Sequence, residues 1–333
     1  PNHALTLASI LLGGDSFSRA LTIVVSAGWD TDCNAGNVGC FNGIRLGLDA
    51  LTQEIDYREP VKDRLFVVTA DGGEGISDAV RETRKIVRAA AKTQGEPVEI
   101  PAARFAFEYR GSVQGFEACP VLGGKDVRLS NPTGEGLVVC PAGENAKVYI
   151  STPTFFDPDA RWQGYDAIGS PSLYEGQTIV AQFICDANAS ARVTPYVCYA
   201  AAECGVLTKF GEETRLKQGE TTLRWEIPSL GGQPIVRVGF AIRFGEESPH
   251  PIVLRSLDWF GAPKRWHLTG AHLKNITDPA PFLERMFVSG AKNFGLSLTH
   301  TLAVSHPEEN GVVTFGTRDF QDYSISAQLL PQL

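Results

Sequence analysis

Two carboxylates two residues apart sit in the densest polar stretch of the chain, Gly28-Trp29-Asp30-Thr31-Asp32-Cys33-Asn34. Asp30 and Asp32 offer hard oxygen donors, the kind that hold a divalent cation. The same residues are good helix starters, because aspartate accepts from the free N–H groups of a first turn and complements the helix dipole. Spacing alone leaves both readings open. Cys33 is a soft ligand and a poor match for magnesium, so it is expected to pack as a small neighbour. Gly36, Gly39, Gly43 and Gly47 follow three and four residues apart and form a stripe on one helix face. A glycine inside a helix costs about 0.5–1 kcal/mol relative to alanine. The stripe therefore predicts close approach of a partner backbone, either another helix or a ligand.

Other residues could do chemistry elsewhere. Trp162, Tyr165, Trp225, Trp259 and Trp266 could stack against sugar rings or fill a core. Asp157, Asp159 and Asp166 could bind calcium or simply make an Asp-Pro turn. The histidines lack the i, i+4 pairing of a helical zinc site. Neither a G-x-S-x-G elbow nor a phosphate-binding G-x-x-x-x-G-K loop occurs.

These residues must be held by elements, and the texture of the chain changes near residue 98. Before it, apolar residues recur at helical spacing. Helices are predicted over 3–12, from a cap at Asp15 or Ser16 with Phe17, Ala20, Leu21, Val24 and Val25 on one face, from 30–33 to 48, and over 78–94, ending at Gly95. Arg81, Arg84, Lys85 and Arg88 mark a solvated face on the last of these. A strand is possible over 64–68. After residue 98, short alternating runs divided by Gly, Pro and Asp predict strands over 103–109, 136–139, 146–151, 177–185, 191–200, 222–227, 235–244 and 252–259. Eight strands in so short a stretch suggest a two-sheet antiparallel sandwich of jelly-roll type. Runs over 285–288, 294–298, 311–315 and 323–330 suggest the opening of a second β-domain. The expected organisation is an all-helical segment over 1–98, a β-sandwich over 99–264 and the start of another over 265–333.

Composition bounds the function. The 333 residues are 43% hydrophobic and 20% charged, which is ordinary for globular domains. The net charge is −8, and without a basic stripe to neutralise phosphates a nucleic-acid partner is not expected. No apolar run reaches membrane-spanning length, so no membrane partner is expected, and no targeting leader follows Pro1. Seven cysteines include no C-x-x-C pair. They read as small buried thiols in a reducing compartment, with the cytoplasm favoured.

Residues 1 to about 95 resemble the carboxyl-terminal portion of the ADP-ribosylglycohydrolase family. The resemblance rests on His3-Ala4-Leu5, Asp15-Ser16-Phe17, Ala27-Gly28, Asp30-Thr31-Asp32 running into Asn34-Ala35, the Gly39/Gly43/Gly47 ladder, and Ile76-Ser77-Asp78-Ala79-Val80. It implies an all-helical hydrolase with a two-magnesium site that cleaves the bond between ADP-ribose and a protein side chain or small acceptor. Asp30 and Asp32 would be metal ligands. Thr31 and Asn34 would orient them, and Gly36 and Gly39 would admit a ligand close to the backbone. The family usually has Thr or Ser where Cys33 stands. Its other ligands lie in an early acidic motif without a counterpart here, since Asp71-Gly72-Gly73-Glu74-Gly75 comes too late. The chain is thus expected to hold an incomplete site and to be inactive alone. Residues 169–177 and 252–263 look like jelly-roll modules appended to carbohydrate-active enzymes. The alternative function is a glycan- or protein-binding sandwich with a non-catalytic helical remnant.

Overall fold

The computed structural model describes residues 1–67, 74–123, 126–142, 147–156, 169–186, 190–201, 205–245, 250–265, 294–296, 302–304 and 316–326. The chain forms two compact units, Pro1–Val61 and Lys62–Leu333.

The first unit is helical. α1 spans Asn2–Gly13, α2 Phe17–Ser26 and α3 Thr31–Leu46, followed by a 3-10 turn at Leu48–Thr52. Ser16 caps α2 by accepting from the Arg19 N–H, which is how a free first-turn donor is satisfied. Ala20, Val24 and Val38 are fully buried, with Ile10, Leu21 and Ala35 packed around them. Val25, placed on the buried face from the sequence, is 51% exposed.

The glycine stripe of α3 does not do what its spacing suggests. A Cβ added at Gly36 or Gly43 would meet nothing within 4 Å, and one at Gly39 would touch only the Phe17 and Leu21 side chains at ordinary distance. Gly47, at φ +79°, ends the helix. The close backbone approach is at Gly13 instead, where a Cβ would fall 2.6 Å from that of Ala20.

The second unit begins earlier than the change of texture at residue 98. β1 (Arg64–Phe66) pairs antiparallel with β2 (Ile76–Asp78), which leads into α4 (Ala79–Gln94). Asp78 caps α4 through the Arg81 N–H, and Gly95 ends it in the left-handed region. Arg84 is not on a solvated face. It is 4% exposed, pairs with Glu108 and donates to the Ala103 carbonyl at 2.7 Å.

The body of this unit is an antiparallel β-sandwich. Its strands are β3 (Glu117–Ala118), β4 (Val127–Ser130), β5 (Leu137–Pro141), β6 (Lys147–Pro153), β7 (Thr178–Cys185), β8 (Ala191–Ala201), β9 (Gly205–Phe210), β10 (Thr214–Arg215), β11 (Gly219–Glu226), β12 (Ile235–Phe244) and β13 (Ile252–Phe260). One sheet runs β10-β8-β12-β6-β3 with β9 also on β8, and the other runs β11-β7-β13-β5-β4. Alternate residues of β7, Ile179, Ala181, Phe183 and Cys185, point into the core, as a half-buried strand requires. Phe183 meets Phe240 of the facing sheet edge-on at 5.0 Å.

The run over 103–109 is not a strand. Only Phe105 forms a bridge, to Leu257, and Phe107 takes φ +52°. Gln114 replaces a neighbouring strand: its Oε1 accepts from the Ala106 and Phe107 N–H groups at 3.1 and 2.8 Å. Of the runs assigned to a second sandwich, 294–298 contains β14 (Phe294–Leu296), which pairs antiparallel with β15 (Leu302–Val304), a strand outside the expected runs. The runs over 285–288 and 311–315 lie outside the described residues. Residues 316–326 carry no strand and pack on the first sandwich instead. Phe320 meets Tyr174 edge-on at 4.9 Å, and Gln177 donates to the Asp319 carboxylate at 3.0 Å.

Candidate metal centre

The candidate centre lies wholly within the helical unit, in the turn from α2 into α3. Gly28 takes φ +67° and Asp30 takes φ 45°, ψ 54°. Among non-glycine residues, aspartate is one of the few that enters this left-handed region readily. The turn is held from beneath: the buried Asn34 donates from Nδ2 to the Trp29 carbonyl at 2.9 Å.

Asp30 occupies the cap position, yet its side chain makes no cap hydrogen bond. Its Oδ2 instead accepts from Asn2 Nδ2 at 2.6 Å. Asn2 Oδ1 in turn accepts from the Trp29 indole at 2.8 Å. One amide therefore fixes both the carboxylate and the ring beside it. Asp30 lines a shallow, open surface pocket together with Pro1, Asn2, His3, Gly28 and Trp29.

Asp30, Asp32 and Cys33 are exposed, and each offers a ligand atom within 4.8 Å of the others. Cys33 does not pack as a small neighbour. Its thiol bonds to Asp30, and that bond together with the charges of Asp30 and Asp32 pushes it above the usual thiol range. Two of the three donors the cluster offers are carboxylate oxygens. That set fits a hard cation such as Mg²⁺ better than a thiophilic one. Thr31 is half-buried in the first turn of α3, Gly36 is exposed beside open space, and Gly39 faces Phe17. Asn2 and Trp29 complete the centre, and sequence spacing gave no sign of Asn2, which lies 28 residues away from Asp30.

The aromatic candidates of the sandwich fare differently. Trp162, Tyr165 and Trp266 lie outside the described residues, as do Asp157, Asp159 and Asp166. Trp259 is 2% exposed, with its indole donating to the Ser172 carbonyl at 2.7 Å and Arg104 lying over its ring at 4.6 Å. It is a core side chain, with no free face for a sugar.

The ADP-ribosylglycohydrolase family model matches residues 1–97. That match covers the helical unit and continues through α4 of the second. No curated protein matches the chain. Among solved structures, a carbohydrate-binding module of the beta-sandwich superfamily is 14% identical over 50% of this chain and 64% of its own, at a TM-score of 0.34. The CBM22-2 xylan-binding domain of Paenibacillus barcinonensis is 10% identical over 45% of this chain and 92% of its own, at 0.30. A family 29 carbohydrate-binding module of Piromyces equi is 14% identical over 46% and 85%, at 0.29. The chain spans under two thirds of the first of these.

Proposed function

We propose that Asp30 and Asp32 are oxygen ligands for Mg²⁺ in an ADP-ribosylglycohydrolase-type site. The proposed reaction is hydrolysis of the glycosidic bond between ADP-ribose and a protein side chain or small acceptor. One observation carries the reading: within the segment matched by the family model, two exposed carboxylates lie within reach of one ion, and neither is used to cap the helix. A pair that merely finished a turn would spend its oxygens on first-turn N–H groups.

Bound Mg²⁺ would supply Lewis acidity and an activated water. The chain's own residues prepare that role. Asn2 holds the Asp30 carboxylate in place and Asn34 fixes the turn that presents it. The remaining donors of a two-metal centre are not assigned to residues of this chain. The proposed partners are an ADP-ribosylated protein or a small ADP-ribose conjugate. Glycan capture by the sandwich is the weaker reading, because Trp259 is buried.

The test is release of ADP-ribose from a modified peptide in Mg²⁺ buffer by a protein that carries this segment together with the remaining metal donors, since the segment alone is expected to be inactive. Release should stop with chelator and in the Asp30→Asn/Asp32→Asn double variant. Turnover unchanged in that variant would reject the assignment.

A further inference from the structure

Four basic residues that are far apart in sequence fall into one row across the sandwich. Arg215 of β10 lies opposite Arg192 of β8, Arg192 opposite Arg243 of β12, and Arg243 opposite Lys147 of β6. Residues directly opposite in an antiparallel pair share a face, so all four side chains stand on the outer face of the β10-β8-β12-β6 run. All four are exposed. Their strand neighbours Ala191, Val193, Leu216, Ile242, Phe244 and Val148 face the other way and are buried in the core, so the backbone beneath the row is fixed. Strands lie about 4.8 Å apart, and three such spacings give the row a span of roughly 14 Å.

Like charges directly opposite on neighbouring strands are destabilising, and this sheet accepts that arrangement three times in succession. Among the described residues one carboxylate answers it: Glu213 pairs with Arg192 at 3.0 Å. Lys147 lies over the Tyr149 ring at 5.1 Å. Arg215 and Arg243 have no ion-pair partner among the described residues. A chain of net charge −8 has carboxylates enough to interleave such a row. Leaving it uncompensated points to an anion that arrives from outside.

Spacing selects the anion. An extended acidic peptide repeats its side chains on one side at every second residue, roughly 6.7 Å, which is out of step with the row. Duplex nucleic acid winds away from a straight line of charges. Single strands are held by bases stacked on exposed rings, whereas Tyr149, next to the row along β6, is already covered by Lys147. A linear chain of uronic-acid sugars carries one carboxylate per ring, and its rise per ring is close to the strand spacing. Arginine meets a carboxylate with two parallel N–H donors, and three of the four members are arginine.

We propose that Arg215, Arg192, Arg243 and Lys147 form a binding site for a linear acidic oligosaccharide of uronate type, laid across the strands with one sugar ring to each cation. The site is separate from the metal centre and makes no use of Trp259. No stretch of sequence announces it, because only the strand register brings its members together.

The full chain is titrated calorimetrically with tetragalacturonate, with monomeric galacturonate, with neutral xylotetraose and with an oligodeoxythymidylate. The expected result is saturable binding of the tetramer, weakened by added salt and about tenfold tighter than that of the monomer, with none of xylotetraose. Arg215→Gln/Arg243→Gln, which breaks no ion pair among the described residues, should lose about tenfold in affinity for the tetramer, and thermal melts check that it folds. Absence of saturable tetramer binding would overturn the proposal. So would xylotetraose, the monomer or the oligonucleotide binding as tightly as the tetramer, or an affinity unchanged in the folded double variant.

Discussion

Asp78 shows how one side chain can serve two needs at a cost. It caps α4, and its Oδ1 accepts from the Arg81 N–H at 3.0 Å and from Gln114 Nε2 at 3.1 Å. Burial raises its carboxyl above the ordinary 3.8, despite the opposing pull of Arg81. A group whose folded pKa is raised contributes stability below its unfolded pKa and loses it as pH rises through the folded value. Thermal melts of the sandwich unit should therefore show a destabilising step as pH climbs from about 4, and Asp78→Asn, which keeps the cap acceptor, should flatten it. A second prediction concerns Arg84, buried against Glu108. Removing one partner of a buried pair leaves the other uncompensated and costs about 3–5 kcal/mol. Arg84→Ala should lower the denaturation midpoint accordingly, whereas Lys85→Ala, on the exposed side of the same helix, should cost less than about 1 kcal/mol. The sequence showed four basic residues at helical spacing and no sign of which one turns inward, because Glu108 is 24 positions away.

At the scale of elements, glycine spacing proved ambiguous. The same small-residue stripe is written whether a helix needs close approach or merely tolerates glycine, and only the neighbouring backbone decides. A third prediction follows. Gly13→Ala, forced against Ala20, should destabilise the helical unit by about 1–3 kcal/mol. Gly43→Ala, facing open space, should stabilise it by about 0.5–1 kcal/mol. Paired chemical denaturation of the two variants reads the difference directly. The helices themselves were legible to within about two residues, because caps and glycine stops are local signals. The long sandwich strands were legible because burial on one side imposes alternation. The short strands β3, β4, β9 and β10 were not, since runs of two to six residues with no buried side chain leave no alternation to read. The run over 103–109 alternated well but bends at Phe107, where the side chain of Gln114, seven residues on, takes over the pairing.

The whole molecule divides after Val61, although the family match runs on to residue 97. The change of texture near residue 98 coincides with the end of the family match, while α4 is anchored through Glu108 and Gln114 to the sandwich unit. A fourth prediction is two calorimetric unfolding transitions. The helical unit, with only three fully buried side chains in its described core cluster, should melt first. Residues 79–94 should stay protected in hydrogen exchange until the second. The candidate site, by contrast, was legible in its two aspartates and hidden in its supports, Asn2 and Trp29, which only the folded α1–α2–α3 arrangement brings alongside. Whether those aspartates grip an ion is decided by calorimetric titration of Mg²⁺ into the full chain and into the Asp30→Asn/Asp32→Asn variant. Saturable binding by the first and none by the second is the predicted result; identical isotherms from two folded proteins would contradict it.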